Sequence, residues 1–293
     1  MPNLKEVRNR IVSVGSTMQI TSAMKMVSAA KLKRAQDAIT QMRPYANKLQ
    51  EILQNVSSSL DTSENAYARK STPKNVLLIA ISSNRGLAGG FNANVIKKTW
   101  SLINNEYNGC TITVLPIGKK VTDAFKRTDY IIHGSHLPHN LNEVFDNLNY
   151  NTVAPIAERV MDAFVLKDFD KVVLVYNQFK NAAVQIVQEE QFLPVEATAS
   201  AAGSSSNTDY IFEPSKEFIV SDLIPRSLKT QFYKALLDSL ASEHGARMTA
   251  MHKATDNAKD MLRDLKISYN KARQTAITTE ILEIVAGAEA LNG

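Results

Sequence analysis

Hydrophobic and polar positions follow two different periods along this chain, and the change of period divides it. From Leu4, apolar residues recur in alternating steps of three and four: Val7, Ile11, Val14, Met18, then Leu32, Ala35, Ile39, Met42, Ala46, Leu49, Leu53, Val56 and Leu60. Thr21, Lys25 and Ser28 occupy the same stepping positions with polar side chains. A 3.5-residue repeat holds one stripe against a partner as helices supercoil, so residues 1–60 are predicted to form one strand of a coiled coil. Pro44 removes an N–H and crowds the preceding turn, which predicts a local kink. A second long helix is predicted from Pro225, a residue suited to a first helical turn, to the C-terminus, within a segment spanning 215–293. Its seam comes in two runs: Met251, Ala254, Ala258, Met261 and Leu265, then Ile277, Ile281, Ile284, Ala288 and Leu291. The offset between the runs predicts that the exposed face rotates along the helix. At about 1.5 Å per residue, two helices of about 60 residues would each reach about 90 Å. That length belongs to a rod.

Residues 74–197 read differently. Asn75 to Ile81, Thr111 to Ile117 and Lys171 to Tyr176 are short continuous apolar runs, as strands buried on both faces are. Helical patterns lie between them, around Asn94 to Ile103 and Pro155 to Val165. This alternation predicts a small α/β layer domain, with Phe179 to Val187 returning as a further strand of a mixed sheet. Polar stretches at Ser57 to Pro73 and Ala197 to Pro214 read as linkers.

Composition narrows the class. The chain has 293 residues, 44% hydrophobic, enough to bury a core, and its 7% aromatic content suits a chain that is largely two-helix rod. No apolar run approaches the length needed to span a bilayer. Lys5, Glu6, Arg8 and Arg10 disagree with a secretory segment, and no transit peptide is expected ahead of the first helix. The single Cys110 allows no internal disulfide and predicts a reducing, cytosolic setting. Of the net charge of +5, the excess lies at the N-terminus, where residues 1–60 carry nine basic and three acidic side chains. A positive helix points to an acidic partner surface or to a solvated face. Nucleic acid fits poorly, since no aromatic residue precedes Tyr45 to stack on bases.

Motifs for chemistry are incomplete. The Gly86 to Gly90 turn sits between strand and helix like a phosphate loop, but lacks the Lys-Ser/Thr of a P-loop and the glycine spacing of a dinucleotide fold. His133, His136 and His139 lie in a Gly/Pro-containing loop without a neighbouring cysteine or an obvious carboxylate ligand. Cys110 has no evident base partner. No catalytic residues, metal or cofactor are expected.

The more specific signals are longer. Ile20-Thr-Ser-Ala-Met24-Lys25-Met26 through Lys31-Leu-Lys33-Arg34, Ser242-Glu-His-Gly-Ala-Arg247-Met through Ala258, and Tyr269-Asn-Lys-Ala-Arg273-Gln274 through Thr278-Thr-Glu280 to Ala290 closely resemble the gamma subunit of F-type ATP synthases. The turn Ser83-Asn-Arg85-Gly86-Leu-Ala-Gly89-Gly90-Phe-Asn92 resembles the same family, so that the likeness covers essentially the whole chain. The resemblance implies an antiparallel coiled coil of the terminal helices with an inserted small α/β, Rossmann-like domain. It further implies a non-catalytic rotary shaft within a ring of alpha and beta subunits, resting on the epsilon subunit and the c-ring at the cytoplasmic face of a bacterial plasma membrane. Nucleotide and magnesium would belong to the partners. Residue by residue, Met24 and Lys25 match the contact with an acidic lever segment of the catalytic subunits, extended by Lys31, Lys33 and Arg34. Arg273 and Gln274 match a polar contact with a catalytic loop, with Arg247, Thr278 and Glu280 supporting it. Ile277, Ile281, Ile284, Ala288 and Leu291 match the tip that turns in an apolar sleeve, and the segment Ser204 to Tyr210 is a candidate c-ring contact.

The chain departs from the family pattern at several places. Asn84 stands where Asp is frequent, Ala88 where Cys is, and Gln19 where a basic residue is. Gly245 falls inside a helix where a better helix former is usual, at a cost near 1 kcal/mol. The paired cysteines of chloroplast members are missing, which excludes their thiol switch. Two other classes remain on the residues alone: a free-standing coiled-coil scaffold or nucleic-acid-binding protein, and a nucleotide-binding enzyme using the Gly86 to Gly90 turn.

Overall fold

The computed structural model describes residues 4–57, 66–69, 72–132, 137–138, 141–195 and 216–292. Helix α1 spans Leu4–Ser57 and helix α5 spans Lys216–Asn292. Between them come strand β1 (Asn75–Ile81), helix α2 (Phe91–Ser101), strand β2 (Thr111–Ile117), helices α3 (Lys119–Phe125) and α4 (Tyr150–Val165), and strands β3 (Lys171–Phe179) and β4 (Gln185–Leu193). The chain divides into two compact units, Met1–Ser28 with Arg247–Gly293, and Ala29–Ala246. Both long helices contribute to each.

In the first unit, α1 and α5 run antiparallel, since Thr21 meets Thr255 and Lys25 meets His252. Every α1 position in the 3.5-residue stepping, from Leu4 through Ser28, is buried or half-buried, including the polar Thr21, Lys25 and Ser28. The polar positions are therefore part of the seam. On α5 the buried line is Met251, Ala254 with Thr255, Ala258, Leu262, Leu265, Tyr269, Ala272 and Thr275. Met261, expected in the seam, is exposed, and Leu262 takes its place. The reason is phase: a strict 3.5-residue step from Ala258 reaches 262 and 265 as readily as 261 and 265, and only the partner decides. The seam therefore continues unbroken through residues 262–275.

The second unit is built on a sheet of order β2-β1-β3-β4, with β1 parallel to β2 and β3, and β4 antiparallel to β3. Alternation along β1 sends Leu77, Ile79 and Ile81 into one core and Val76, Leu78 and Ala80 into the other, which is why the strand reads as a continuous apolar run. The second core is closed by Val95, Leu102, Val121 and Phe125 from the α2 and α3 side. The first core is closed by Val153, Val160 and Phe164 of α4 and by Ile224, Leu228, Phe232 and Leu236 of α5. Helix α4 starts on a capping box, with Asn149 accepting from the Thr152 backbone N–H at 2.9 Å.

Two local expectations shift. Strand β4 begins at Gln185 and not at Phe179, because the Asn181 carboxamide oxygen accepts from the Ala183 and Val184 N–H groups and turns the chain between β3 and β4. Helix α5 starts nine residues before Pro225. The hydrogen bond lost there is offset by the burial of Ile224 and Leu228 on either side. Helix α1 continues through Pro44, which is exposed. The proposed linkers fall largely, and the histidines 133, 136 and 139 wholly, outside the described residues.

Candidate functional site

The middle of the two-helix segment carries a polar layer. Thr255 Oγ1 lies 2.8 Å from Thr21 Oγ1 and 2.7 Å from the Met251 carbonyl, while Thr21 Oγ1 lies 3.1 Å from the Met18 carbonyl. Lys25 Nζ stands 3.4 Å from His252 Nδ1, which is also 3.3 Å from Asp256 Oδ2. Met24 is half-buried and Met26 and Val27 are exposed beside it. Sequence reasoning found Thr21, Lys25 and Ser28 as polar interruptions but missed their partners. Thr255 and His252 lie in the quoted C-terminal motif, yet nothing local marks which of its residues faces α1.

Lys31, Lys33 and Arg34 lie in the second unit and are all exposed, with Lys31 flanking the stripe of the buried Leu32 and Ala35. Arg247 is buried, at 7% exposure. Arg273 and Gln274 are exposed, flanked by the seam residues Ala272 and Thr275. Thr278 donates its hydroxyl back to the Gln274 carbonyl at 2.9 Å, and Glu280 is exposed. Among the described residues Arg273 makes no ion pair, and an exposed Arg263–Asp264 contact stands at 3.9 Å earlier on the same helix.

Beyond Thr275 the seam stops. With Thr21 opposite Thr255, the start of α1 at Leu4 comes opposite about residue 272, and α5 runs on alone for about 25 Å. Ile277, Ile281, Leu282, Ile284 and Val285 stand 49–67% exposed on this tip, and Ala288 is exposed as well. Leu291 lies in the helix, but its side chain is outside the described set.

The nucleotide reading of the Gly86 to Gly90 turn meets a steric objection. In an open parallel sheet the ligand crevice lies beyond the carboxyl ends of strands whose connections leave in opposite directions, here β1 and β3. That place is taken by α5. Ala246 packs on Ala88 and Phe91, and Ser242 Oγ donates to the Asn177 carbonyl at 2.9 Å, while Asn177 Nδ2 donates to the Phe91 carbonyl at 3.1 Å. Gly245 makes the fit possible: a Cβ there would meet Ala182 Cα at 3.3 Å and Phe179 Cε2 at 3.4 Å. The exceptional glycine thus marks the approach of the β3–β4 turn to the helix.

The second unit also buries a carboxylate. The Asp238 side chain is 1% exposed, and neither oxygen has a hydrogen-bond partner among the described residues. Arg43 of α1 is its nearest cation, at 3.8 Å, and also donates to the Phe179 carbonyl at 3.5 Å. Burial pushes the Asp238 carboxyl up to about 6, opposed by the charges of Arg43 and Lys234 and assisted by Glu190.

A family model described as ATP synthase matches residues 3–291. The chain is 59% identical over 294 residues to a protein of Christiangramia forsetii called ATP synthase gamma chain, and 60% identical over 297 residues to one of the same name from Flavobacterium johnsoniae, with 100% of each chain covered in both cases. Among solved structures, the central stalk and c-ring of the Tetrahymena thermophila mitochondrial ATP synthase contains a chain similar at 28% identity and a TM-score of 0.59, covering 80% of this chain and 99% of that one. A chain of the Euglena gracilis mitochondrial ATP synthase shares the fold at 19% identity, with a TM-score of 0.68 over 98% of this chain and 94% of that one.

Proposed function

The chain belongs to the ATP synthase gamma chain family, and on that premise we propose that it is the central rotary shaft of the F1 head, coupling proton-driven rotation to ATP synthesis and hydrolysis in the alpha and beta subunits. It is a non-catalytic subunit; the chemistry resides in the beta subunits. The observation that carries the reading is the α5 tip, an apolar helix end left uncovered beyond Thr275 among the described residues, with Arg273 and Gln274 at its base. A shaft biases catalytic sites only through contacts that differ with its orientation. A single helix bearing a polar contact pair below an apolar end supplies such an asymmetry. The free-standing scaffold loses its premise, because the α1 seam of the first unit is covered by α5 of the same chain.

The contact residues are part of this proposal. Met24 and Lys25, with the exposed Lys31, Lys33 and Arg34, face acidic segments of the catalytic subunits. Arg273 and Gln274, with Thr278 and Glu280, meet a catalytic loop, where the planar fork of arginine suits paired charge-assisted hydrogen bonds. Arg247, being buried, supports this surface without presenting its own side chain to the partner. Ile277, Ile281, Ile284, Ala288 and Leu291 turn in the apolar sleeve. Residues 1–60 and 215–293 serve as the shaft strands and 74–197 as the foot that meets epsilon and the c-ring. Among the described residues no helix is long and apolar enough to cross a membrane, and the attachment we propose is peripheral, through the complex, on the cytoplasmic face of the bacterial plasma membrane.

The test is ATPase turnover of alpha and beta subunits assembled with and without this chain, with stoichiometry read by native mass spectrometry. One copy per three alpha and beta pairs with a gain in steady-state turnover is expected. No association would overturn the reading. Arg273→Ala and Gln274→Ala should each lower turnover of the assembled head while leaving helix content unchanged; normal turnover in both would remove them from the contact.

A further inference from the structure

We propose that the Thr21–Thr255 hydroxyl pair, with Lys25 beside His252, is a register key that sets the axial alignment of α1 on α5 and thereby the length of the unpaired α5 tip. The key is a property of this chain alone; its consequence for the catalytic head rests on the shaft reading above.

The seam around these residues has little else to define its alignment. Of the neighbouring buried or half-buried positions, Ser22 and Ser28 on α1 and Ala254 and Ala258 on α5 are small, and Met18, Met24 and Met251 are unbranched and adaptable. Small knobs fit similar holes at every heptad, so a two-helix segment of this kind is nearly indifferent to sliding by seven residues, about 10.5 Å. The hydroxyl pair is not indifferent. Each threonine has one hydrogen to donate. At the observed alignment Thr21 can donate to Thr255 as Thr255 donates to the Met251 carbonyl, or Thr255 to Thr21 as Thr21 donates to the Met18 carbonyl. Either direction uses both hydrogens and crosses between the helices.

Sliding by one heptad disturbs this layer differently in the two directions. One way brings Thr21 opposite Leu262 and Lys25 opposite Lys259, so a half-buried ammonium meets a like charge. The other brings Thr21 opposite Met248. In the first case Thr255 comes opposite the buried Ser28 and keeps a hydroxyl partner there; in the second Thr255 comes opposite Val14, the threonines keep only carbonyls of their own helices, and the layer loses its cross-helix bond. A polar pair at a seam position is a known means of choosing one alignment among equivalent ones. The alignment matters because it positions Lys25 on one helix against Arg273 and Gln274 on the other, and because it decides that α5 is left alone after Thr275.

Disulfide trapping reads the alignment directly. In full-length chain with Cys110→Ser, the pair Met18→Cys with Ala258→Cys reports the observed register, and Met18→Cys with Met251→Cys reports the one-heptad slip that leaves neither threonine a hydroxyl partner. With both threonines present, the first pair is expected to close and the second to stay open. With Thr21→Val and Thr255→Val, which keep the side-chain shape, closure of the slip pair should rise about tenfold, the effect of removing one cross-helix hydrogen bond. Thr21→Ser with Thr255→Ser should restore the original pattern. Valine variants with unchanged helix content and no slip product would overturn the proposal, as would serine variants that slip as far as the valine ones. The readout is made on the chain alone, so it is decided separately from whether the chain assembles with alpha and beta subunits.

Discussion

The two ends of α5 are similarly rich in apolar residues and have opposite surroundings. From Ile224 to Arg247 most positions are buried, including Phe232, Leu236, Asp238, Ser242 and Glu243, because the sheet, and then the β3–β4 turn, covers the helix. From Ala276 onward every described side chain is exposed, although Ile277, Ile281, Leu282, Ile284 and Val285 are as apolar as the residues of the core. The contrast separates two uses of hydrophobicity. At the first end it stabilises the fold; at the second it is left for a partner, and the helix there stands on its own propensity and its continuity with the paired segment.

The comparison is broken most directly by truncating each end. Phe232→Ala removes a fully buried ring that lies 5.7 Å from the Phe192 ring, and should cost about 3–5 kcal/mol in urea unfolding of the isolated chain. A loss below about 1 kcal/mol would mean that this end of α5 is not part of the core.

The next effect depends on pH. The folded-state carboxyl of Asp238 is raised to about 6 from 3.8, so the stability it contributes is fully present below about pH 4 and is lost as pH rises through 6. Asp238→Asn removes that loss. It should stabilise the chain by about 2–3 kcal/mol at pH 8, and the advantage should shrink toward zero by pH 4. Unfolding curves of the two proteins across that range check it; a variant less stable at pH 8 than at pH 4 relative to the parent would show that the Arg43 pairing outweighs desolvation.

Gly245→Ala sets a gain in helix propensity of about 1 kcal/mol against contacts at 3.3–3.4 Å to Ala182 and Phe179. The net change should fall within about 1 kcal/mol of zero, whereas Gly245→Leu, which the β3–β4 turn cannot accommodate, should cost more than about 2 kcal/mol. Thermal melts of both variants separate a close approach from a merely soft helix, since the latter would tolerate leucine. The smallest effect belongs to the tip. Ile281→Ala with Ile284→Ala should shift stability of the isolated chain by less than about 0.5 kcal/mol, and a larger loss would reveal a covering surface within the chain itself.

Much of this was legible without coordinates. The α1 seam from Leu4 to Ala46 can be counted residue by residue, and the continuous apolar strands announced a sheet covered on both faces. The candidate contact residues could be named from their motifs, but not their exposure. Arg247 and Arg273 look alike in the chain and stand at opposite extremes of burial. Met261 and Leu262 are equally good seam residues, and α1 selects the second. Asp238 carried no signal at all, since a charged residue in an amphipathic helix normally faces water.

Sequence alone determined most of the helical and strand segments, though not α3 or the start of β4, because periodicity and apolar runs are local properties of the chain. Tertiary structure alone decided the rest: that α5 fills the crevice a nucleotide would have needed, that Asp238 is buried beside Arg43, and that Thr21 meets Thr255. The physical reason is one of symmetry. A heptad pattern repeats every seven residues and is satisfied equally well by alignments that differ by a heptad, so the stripe says that two helices pair but not where. The choice falls to the few side chains that break the repeat, and they act only once their partners from the far end of the chain are opposite them.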